Sequence, residues 1–211
     1  MTTASLVLLA AFAVALVSFV ALRLRLGRRL PAAQAPARAS AAAGVRYAFT
    51  TAFLPWAKES ARRHRASYFA GIVFHLAIFA ALGRLALTLV PAAWPAAADP
   101  ALAAVLAAGL ACGLGLLVKR RRDATLRAVS TPEDVASNLL VNTLLAVGLA
   151  AVLRPAFLTA FQLTGAVVLL YAPLGKLRHM LFLVTSRRYW GTYFGRRGVR
   201  PGPRLAGGPR G

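Results

Sequence analysis

The sequence predicts an all-α integral membrane protein, a bundle of five transmembrane helices with the N-terminus outside and the C-terminus in the cytoplasm. Apolar residues make up 59% of the 211 residues and fall in long runs, several of which reach the roughly 20 residues that cross a bilayer. Only five residues are acidic, so too little polar sequence remains to cover these runs in a soluble protein. The basic residues flank the runs, and every dense cluster is cytoplasmic if the N-terminus is outside.

The first predicted span is a retained helix, because its arginine-rich flank at 23–29 follows the apolar run, the reverse of a secretory signal. The predicted spans are Ala4–Leu22, Tyr68–Val90, Ala101–Val118, Val135–Leu153 and a fifth from Ala156 past Pro173 to Val184. The third span ends at the basic run 119–122, a cytoplasmic stop. The outer loops carry one basic residue, Arg154.

The start of the fourth span carries helix-capping signals. Ser130 and Glu133 have capping-box spacing, and Pro132 suits the first helical turn. Asp134 adds a second acid near the N-terminus, where negative charge favours the helix macrodipole. A helix is therefore predicted to begin here and to continue across the membrane.

Residues 1–188 are predicted to form the membrane domain, with a cytoplasmic segment at 27–67 and a basic tail at 189–211. Within that segment, Pro31–Gly44 is rich in Ala and Pro, which is typical of a linker. Val45–Arg65 mixes aromatic and basic residues, which suits an amphipathic stretch on the inner membrane face or a docking surface. The tail is rich in Gly and Pro and is expected to be extended or ordered by a partner.

The net charge of +21 does not indicate nucleic-acid binding, because the basic residues sit where the positive-inside rule requires them. The single cysteine, Cys112, lies in an apolar run and is expected to be a packing residue. One cysteine cannot ligate an iron–sulfur cluster, so any such cluster belongs to a partner.

Three histidines are present, and two of them lie near the inner ends of predicted spans. His75 lies about two turns into the second span and His179 near the end of the fifth. Since these spans run in opposite directions, both side chains are expected at similar depth, as two axial ligands of one haem require. The alternative is that each histidine only hydrogen-bonds a neighbouring helix. His64 sits beside arginines in the cytoplasmic segment and is a poor ligand candidate.

Each candidate ligand has a glycine four residues earlier, Gly71 before His75 and Gly175 before His179. Helical side chains lean toward the N-terminus, so glycine at this position is expected to leave room for a flat macrocycle. Lys176 is a candidate to pair with haem propionates, and so is Arg178. Either side chain could equally be an orientation charge that reaches the headgroups.

The pattern Pro173, Lys176, Leu177 and His179 fits Pro-x-x-[Lys/Arg]-Leu-x-His. The chain resembles one cytochrome b family in this pattern, in its five predicted spans and in the early histidine of the second span. The segment 74–78 and the ending 194–199 also resemble members of that family. That family includes the gamma subunit of respiratory nitrate reductase and the related membrane subunit of sulfite-reduction complexes. The resemblance covers most of the chain and implies haem b, electron transfer and a quinone, either menaquinone or ubiquinone.

Relatives of the nitrate reductase type hold two haems with four histidines, and this sequence departs from them. Arg84 and Leu85 stand where the second helix's additional histidine would fall, and Phe161 stands where the fifth helix's would. Both missing ligands belong to the outer haem, so the resemblance implies a variant with one haem near the cytoplasm. Arg84, deep in the outer half of its span, is a candidate to bind a quinone carbonyl or a lipid headgroup, and the alternative is that its side chain snorkels outward.

These observations predict a bacterial inner-membrane subunit that transfers electrons between the quinone pool and a cytoplasmic-side partner. The resemblance implies that this partner is an iron–sulfur or heterodisulfide-reductase-like redox subunit. Two axial imidazoles leave no open position on iron, so substrate chemistry is expected in the partner. The alternative is a haemless membrane anchor or scaffold. A small-solute transporter is disfavoured, because the spans carry no acid and the chain has no repeat.

Overall fold

The computed structural model describes residues 2–25, 40–57, 59–90 and 94–198, and these ranges are helical with short connections and no strand. The α-helices in these ranges are α1 Thr3–Arg25, α2 Ala41–Phe49, α3 Glu59–Arg63, α4 Arg65–Leu87, α5 Asp99–Arg122, α6 Ala124–Ala128, α7 Pro132–Leu153, α8 Leu158–Tyr171 and α9 His179–Arg196. The predicted linker lies outside the described residues up to 39, and its last residues, 41–44, are helical in α2, so a linker reaching Gly44 was wrong there. The predicted tail beyond Gly198 also lies outside the described residues.

Four of the helices in the described ranges are long and apolar enough to cross a membrane. They are Thr3–Arg25, Arg65–Leu87, Ala96–Arg122 and Pro132–Leu153. They correspond to the first four predicted spans, so the all-α class is confirmed, and four of the five predicted spans are helices of sufficient length and apolar composition. The remaining apolar helix, Pro155–Tyr171, is shorter.

The chain divides into two compact units. The bundle unit combines the chain up to Leu22 with Phe69–Arg178, and the paired-helix unit combines Arg23–Tyr68 with the chain from His179. This division differs from the predicted membrane domain and tail. α2 and α9, which are far apart in the sequence, pack together in the paired-helix unit.

The core of the bundle unit is made by buried side chains from α1, α4, α5, α7 and α8. The largest side chains with almost no exposure are Phe161, Leu8, Leu85, Leu106, Leu144 and Leu145. Glycines let these helices approach closely. A Cβ at Gly109 would collide with Ala77, and a Cβ at Gly165 would collide with Leu85. Small residues at such contacts are typical of helix packing in membranes.

The N-terminus of α7 is capped one residue later than predicted. The carboxylate of Asp134 accepts hydrogen bonds from the backbone N–H of Thr131 (2.8 Å) and from its hydroxyl (2.9 Å). Ser130, the predicted cap, instead donates to the carbonyl of Leu126 and accepts from Arg120. The predicted helix start is confirmed, but the Ser130–Glu133 pairing was wrong.

The predicted fifth span is not one continuous helix. α8 ends at Tyr171, the chain turns through 172–175, and a short 3₁₀ helix, Lys176–Arg178, precedes α9. Pro173 lies at the break, because proline has no backbone N–H to donate and its ring clashes with the preceding turn of a helix. The continuation of the fifth span to Val184 was therefore wrong as a helix, although apolar residues continue past the proline.

In the paired-helix unit, α2 packs directly on α9. A Cβ at Gly44 would collide with the carbonyl oxygen of Gly191 and would lie 2.6 Å from the Cα of Gly195. A Cβ at Gly191 would lie 2.6 Å from the Cα of Val45. The two backbones are thus in contact, and neither glycine has room for a side chain.

The first residues of the predicted tail are helical, since α9 continues to Arg196. Aromatic side chains support this helix one turn apart. Trp190 and Phe194 stack with ring centroids 5.1 Å apart, and Tyr189 and Tyr193 lie 6.1 Å apart. Such i, i+4 pairs stabilise helices. Of the two alternatives for the tail 189–211, the extended one was therefore wrong for residues 189–196.

Candidate functional site

His75 lies on α4 in the bundle unit, and its ring orientation is set by the helix itself. Nδ1 lies 2.7 Å from the carbonyl oxygen of Gly71. A carbonyl can only accept, so Nδ1 carries the proton, and in the neutral imidazole the lone pair is on Nε2. The residue is exposed on the helix surface. Metal-ligating histidines commonly have this arrangement, with one ring nitrogen donating to a backbone carbonyl and the other facing the metal.

The space above Gly71 is open. A Cβ built there would meet nothing within 4 Å, so packing in the described part of the chain does not require glycine at this position. Glycine inside a helix costs about 1 kcal/mol relative to alanine. The turn that precedes His75 is thus open at Gly71, as the helix surface is at Gly83.

His179 is the first residue of α9, in the paired-helix unit, and is exposed. The two predicted ligands thus belong to different units. The helical argument for Gly175 does not hold, because Gly175 lies in the turn before the 3₁₀ helix and not on one helix with His179. A Cβ at Gly175 would instead collide with the ring of Tyr171. The expectation that Gly175 leaves room for a macrocycle was wrong for this reason.

Of the two propionate candidates, Lys176 already has an acidic partner. Its Nζ lies 2.7 Å from Oδ1 of Asp134, at the start of α7. The lysine side chain is 42% exposed, so this ion pair contributes at most about 1 kcal/mol and is screened by salt. Arg178 is exposed.

A polar cluster at the same end of the bundle unit was missed from the sequence. The hydroxyl of Tyr171 lies 2.8 Å from Oγ of Ser137, and it donates to Oε1 of Glu133 at 3.5 Å. The signal that could have found it is the placement of Glu133 and Ser137 one turn apart at the start of a long apolar helix. The cluster links α7 to the end of α8.

Arg84, the quinone candidate, lies beside the loop that joins α4 to α5. Its guanidinium carbon is 5.2 Å from the ring centroid of Trp94, and Nε1 of Trp94 donates to Oδ1 of Asp99 at 2.7 Å. A cation over an aromatic face is worth about 0.5–1 kcal/mol at exposed sites and more when desolvated. Trp94 therefore stabilises the cation of Arg84, and Asp99, the first residue of α5, holds the Trp94 ring by its hydrogen bond.

The positions that would carry the ligands of an outer haem are part of the packed core. Leu85 is 0% exposed and Phe161 is 1% exposed. Leu85 fills the space over Gly165. The ring of Phe161 lies 2.9 Å from the position that a Cβ at Gly148 would take. Hydrophobic packing occupies these positions.

A second polar network that the sequence did not reveal lies next to Phe161. Gln162, which is 3% exposed, donates from Nε2 to the hydroxyls of Ser5 and Thr88, both at 3.2 Å. It connects α8 to α1 and to the end of α4. Interhelical hydrogen bonds of this kind average about 0.6 kcal/mol in membrane proteins.

Within the four described ranges, no three His, Cys, Asp or Glu side chains come together as a metal site. A haem held by two axial histidines does not need such a group. Cys112 is half-buried against the core of the bundle unit, consistent with a packing role.

No family model, no curated protein and no solved structure matches this chain significantly.

Proposed function

We propose that this chain is the membrane haem b subunit of a respiratory oxidoreductase. It transfers electrons between the quinone pool and an iron–sulfur or heterodisulfide-reductase-like subunit on the cytoplasmic side. The observation that carries the proposal is the hydrogen bond from Nδ1 of His75 to the carbonyl of Gly71, 2.7 Å long. It holds the ring in the tautomer whose other nitrogen ligates a metal.

His75 and His179 are the proposed axial ligands of one haem. A haem bound by two imidazoles supplies one-electron chemistry and no open position for substrate. The open space at Gly71 supports placing the macrocycle on that side of α4. Arg178 is the stronger propionate candidate, because Lys176 is already paired with Asp134.

The proposal includes one haem and not two. Converting the outer positions into a second site would require displacing Leu85 and Phe161, which are fully buried. Arg84 can hold its guanidinium face over Trp94 while its N–H donors, which lie in the guanidinium plane, point elsewhere. A quinone carbonyl at the outer end of α4 is the proposed acceptor for those donors.

We further propose five membrane crossings in a bacterial inner membrane, with the N-terminus outside. The fifth crossing is Pro155–Tyr171, which lies at the short end of the range for transmembrane helices. The basic last turn of α5, 119–122, supports this orientation, as does the basic end of α1 at Arg23 and Arg25.

The test is a reduced-minus-oxidised visible spectrum of the purified chain with haem-to-protein stoichiometry. We expect one haem per chain, lost in His75→Ala and in His179→Ala. His64→Ala is the matched control, since His64 is also exposed but lies among arginines, and it should retain the full haem content. A chain without haem, or equal loss in all three variants, would refute the proposal.

The alternative function is a haemless membrane anchor or scaffold. It is favoured by Gly175 and Lys176, because contacts with Tyr171 and Asp134 explain both residues without a cofactor. An anchor would tolerate alanine at both His75 and His179 and would show no chromophore in the wild-type chain.

A further inference from the structure

The paired-helix unit contains a cavity of about 1070 Å³ along α2 and α9. Pockets for small organic ligands are typically about 300–1,000 Å³, so this cavity accepts a ligand much larger than a simple inorganic ion. All its lining residues belong to the paired-helix unit.

The walls of the cavity are mainly apolar. Small residues such as Ala43 and Gly44 line it on α2, and the rings of Trp190 and Phe194 line it on α9. Trp190 is 55% exposed although it stacks on Phe194. An exposed indole beside small apolar residues suits a hydrocarbon chain, because burying both surfaces removes apolar area from water.

The charged lining residues are both arginines. Nη1 of Arg187 donates to the carbonyl of Ala48 at 2.6 Å, and its guanidinium lies 3.8 Å from the ring centroid of Phe53. These contacts orient the guanidinium and leave further N–H donors for a ligand. Arg46 is exposed on α2. No acidic residue is found among the described residues that line the cavity, so its charge complements an anion.

We propose that this cavity binds an anionic phospholipid, with the headgroup at Arg46 and Arg187 and an acyl chain along the apolar wall. In the sequence, one lining segment lies between the basic flank at 23–29 and the basic run at 62–65, and the other contains Arg187 and Arg188. The positive-inside rule assigns such basic segments to the cytoplasmic side. The leaflet on that side is rich in anionic lipids, and basic pockets there bind their headgroups. A zwitterionic lipid lacks the net charge, and a free phosphate leaves the apolar wall uncovered.

The experiment titrates the full chain, purified in a neutral detergent, with phosphatidylglycerol or with phosphatidylcholine of the same acyl chains. Native mass spectrometry counts the lipid retained. We expect phosphatidylglycerol to be retained at about tenfold lower concentration than phosphatidylcholine, since each nearby arginine strengthens binding of an anionic lipid several-fold. Arg46→Gln should weaken phosphatidylglycerol retention about fivefold. Arg121→Gln, an exposed arginine of α5 outside the cavity, should change it less than twofold.

Ala43→Leu tests the apolar wall independently of charge, and it should also reduce retention of phosphatidylglycerol. Inorganic phosphate at millimolar concentration should not displace the lipid. The proposal is overturned if the two lipids bind equally, or if Arg46→Gln and Arg121→Gln weaken binding alike. It is also overturned if Ala43→Leu has no effect or if phosphate alone displaces the lipid, because the site would then hold only a small anion.

Discussion

Replacing Gly44 with alanine tests the backbone contact between α2 and α9. The added Cβ would collide with the carbonyl oxygen of Gly191 and lie 2.6 Å from Cα and 2.9 Å from N of Gly195. These are backbone atoms, which cannot rotate away as a side chain can, so the helices must separate. Overpacking costs about 1–3 kcal/mol, and alanine recovers about 1 kcal/mol over glycine in a helix interior. Because the obstructing atoms belong to the backbone, we expect the upper part of that range, about 2–3 kcal/mol, which leaves a net loss of about 1–2 kcal/mol.

The assay is the rate of cleavage after Arg46 by an arginine-specific protease, together with thermal unfolding followed by circular dichroism. A loss of about 1–2 kcal/mol raises the fraction of molecules in which α2 has separated from α9 roughly 5–30-fold. Cleavage after Arg46 should accelerate by the same factor. Gly83→Ala is the matched control, because a Cβ at Gly83 on α4 meets nothing within 4 Å. It should leave cleavage unchanged. If Gly44→Ala is cleaved at the wild-type rate, or if both variants are cleaved equally faster, the proposed backbone contact at Gly44 is refuted.

Three further predictions distinguish effects on haem binding from effects on stability. Gly71→Leu should abolish most haem binding while the melting temperature of the haem-free chain stays within about 2 °C, because a Cβ there meets nothing within 4 Å; a clear drop in the melting temperature of the haem-free chain would contradict it. Lys176→Met should cost less than about 1 kcal/mol, and the loss should shrink in high salt, since the substitution removes the exposed ion pair with Asp134. Gln162→Leu should destabilise by about 1 kcal/mol in a denaturant titration. A loss above about 3 kcal/mol would show that the network is worth more than its two hydrogen bonds.

The modest value for Gln162→Leu follows from the partners that remain. Ser5 still has the hydroxyl of Thr2 at 2.9 Å, and Thr88 still donates to the carbonyl of Leu85 at 2.7 Å. Neither hydroxyl is left buried without a partner, which is the situation that costs several kcal/mol.

The long helices could be predicted because apolar runs of sufficient length report directly on burial in lipid. Hydropathy also extended the predicted fifth span past Pro173, because it depends on side chains alone and does not detect a missing backbone N–H. The break before His179 depends on that single atom. Pro173 and Gly175 are the local signal that indicates a helix end near Tyr171.

The pairing of α2 with α9 had no local signal. Gly44, Gly191 and Gly195 are each ordinary in a chain with 17 glycines, and only their juxtaposition explains them. The same limit applies to the candidate site. The i−4 relation between Gly71 and His75 is local and could be predicted, whereas the pairing of Lys176 with Asp134 depends on how distant helices pack.

The length of Pro155–Tyr171 has a consequence for the surrounding lipid if this helix completes the fifth crossing. Its rise is about 25 Å, against about 30 Å for an average hydrocarbon layer. Leu163, Val167 and Leu170 are exposed on α8, so acyl chains rather than protein would meet this short helix. The bilayer beside it would then be locally thinner than beside α4 or α5, and the chain would favour membranes with short acyl chains.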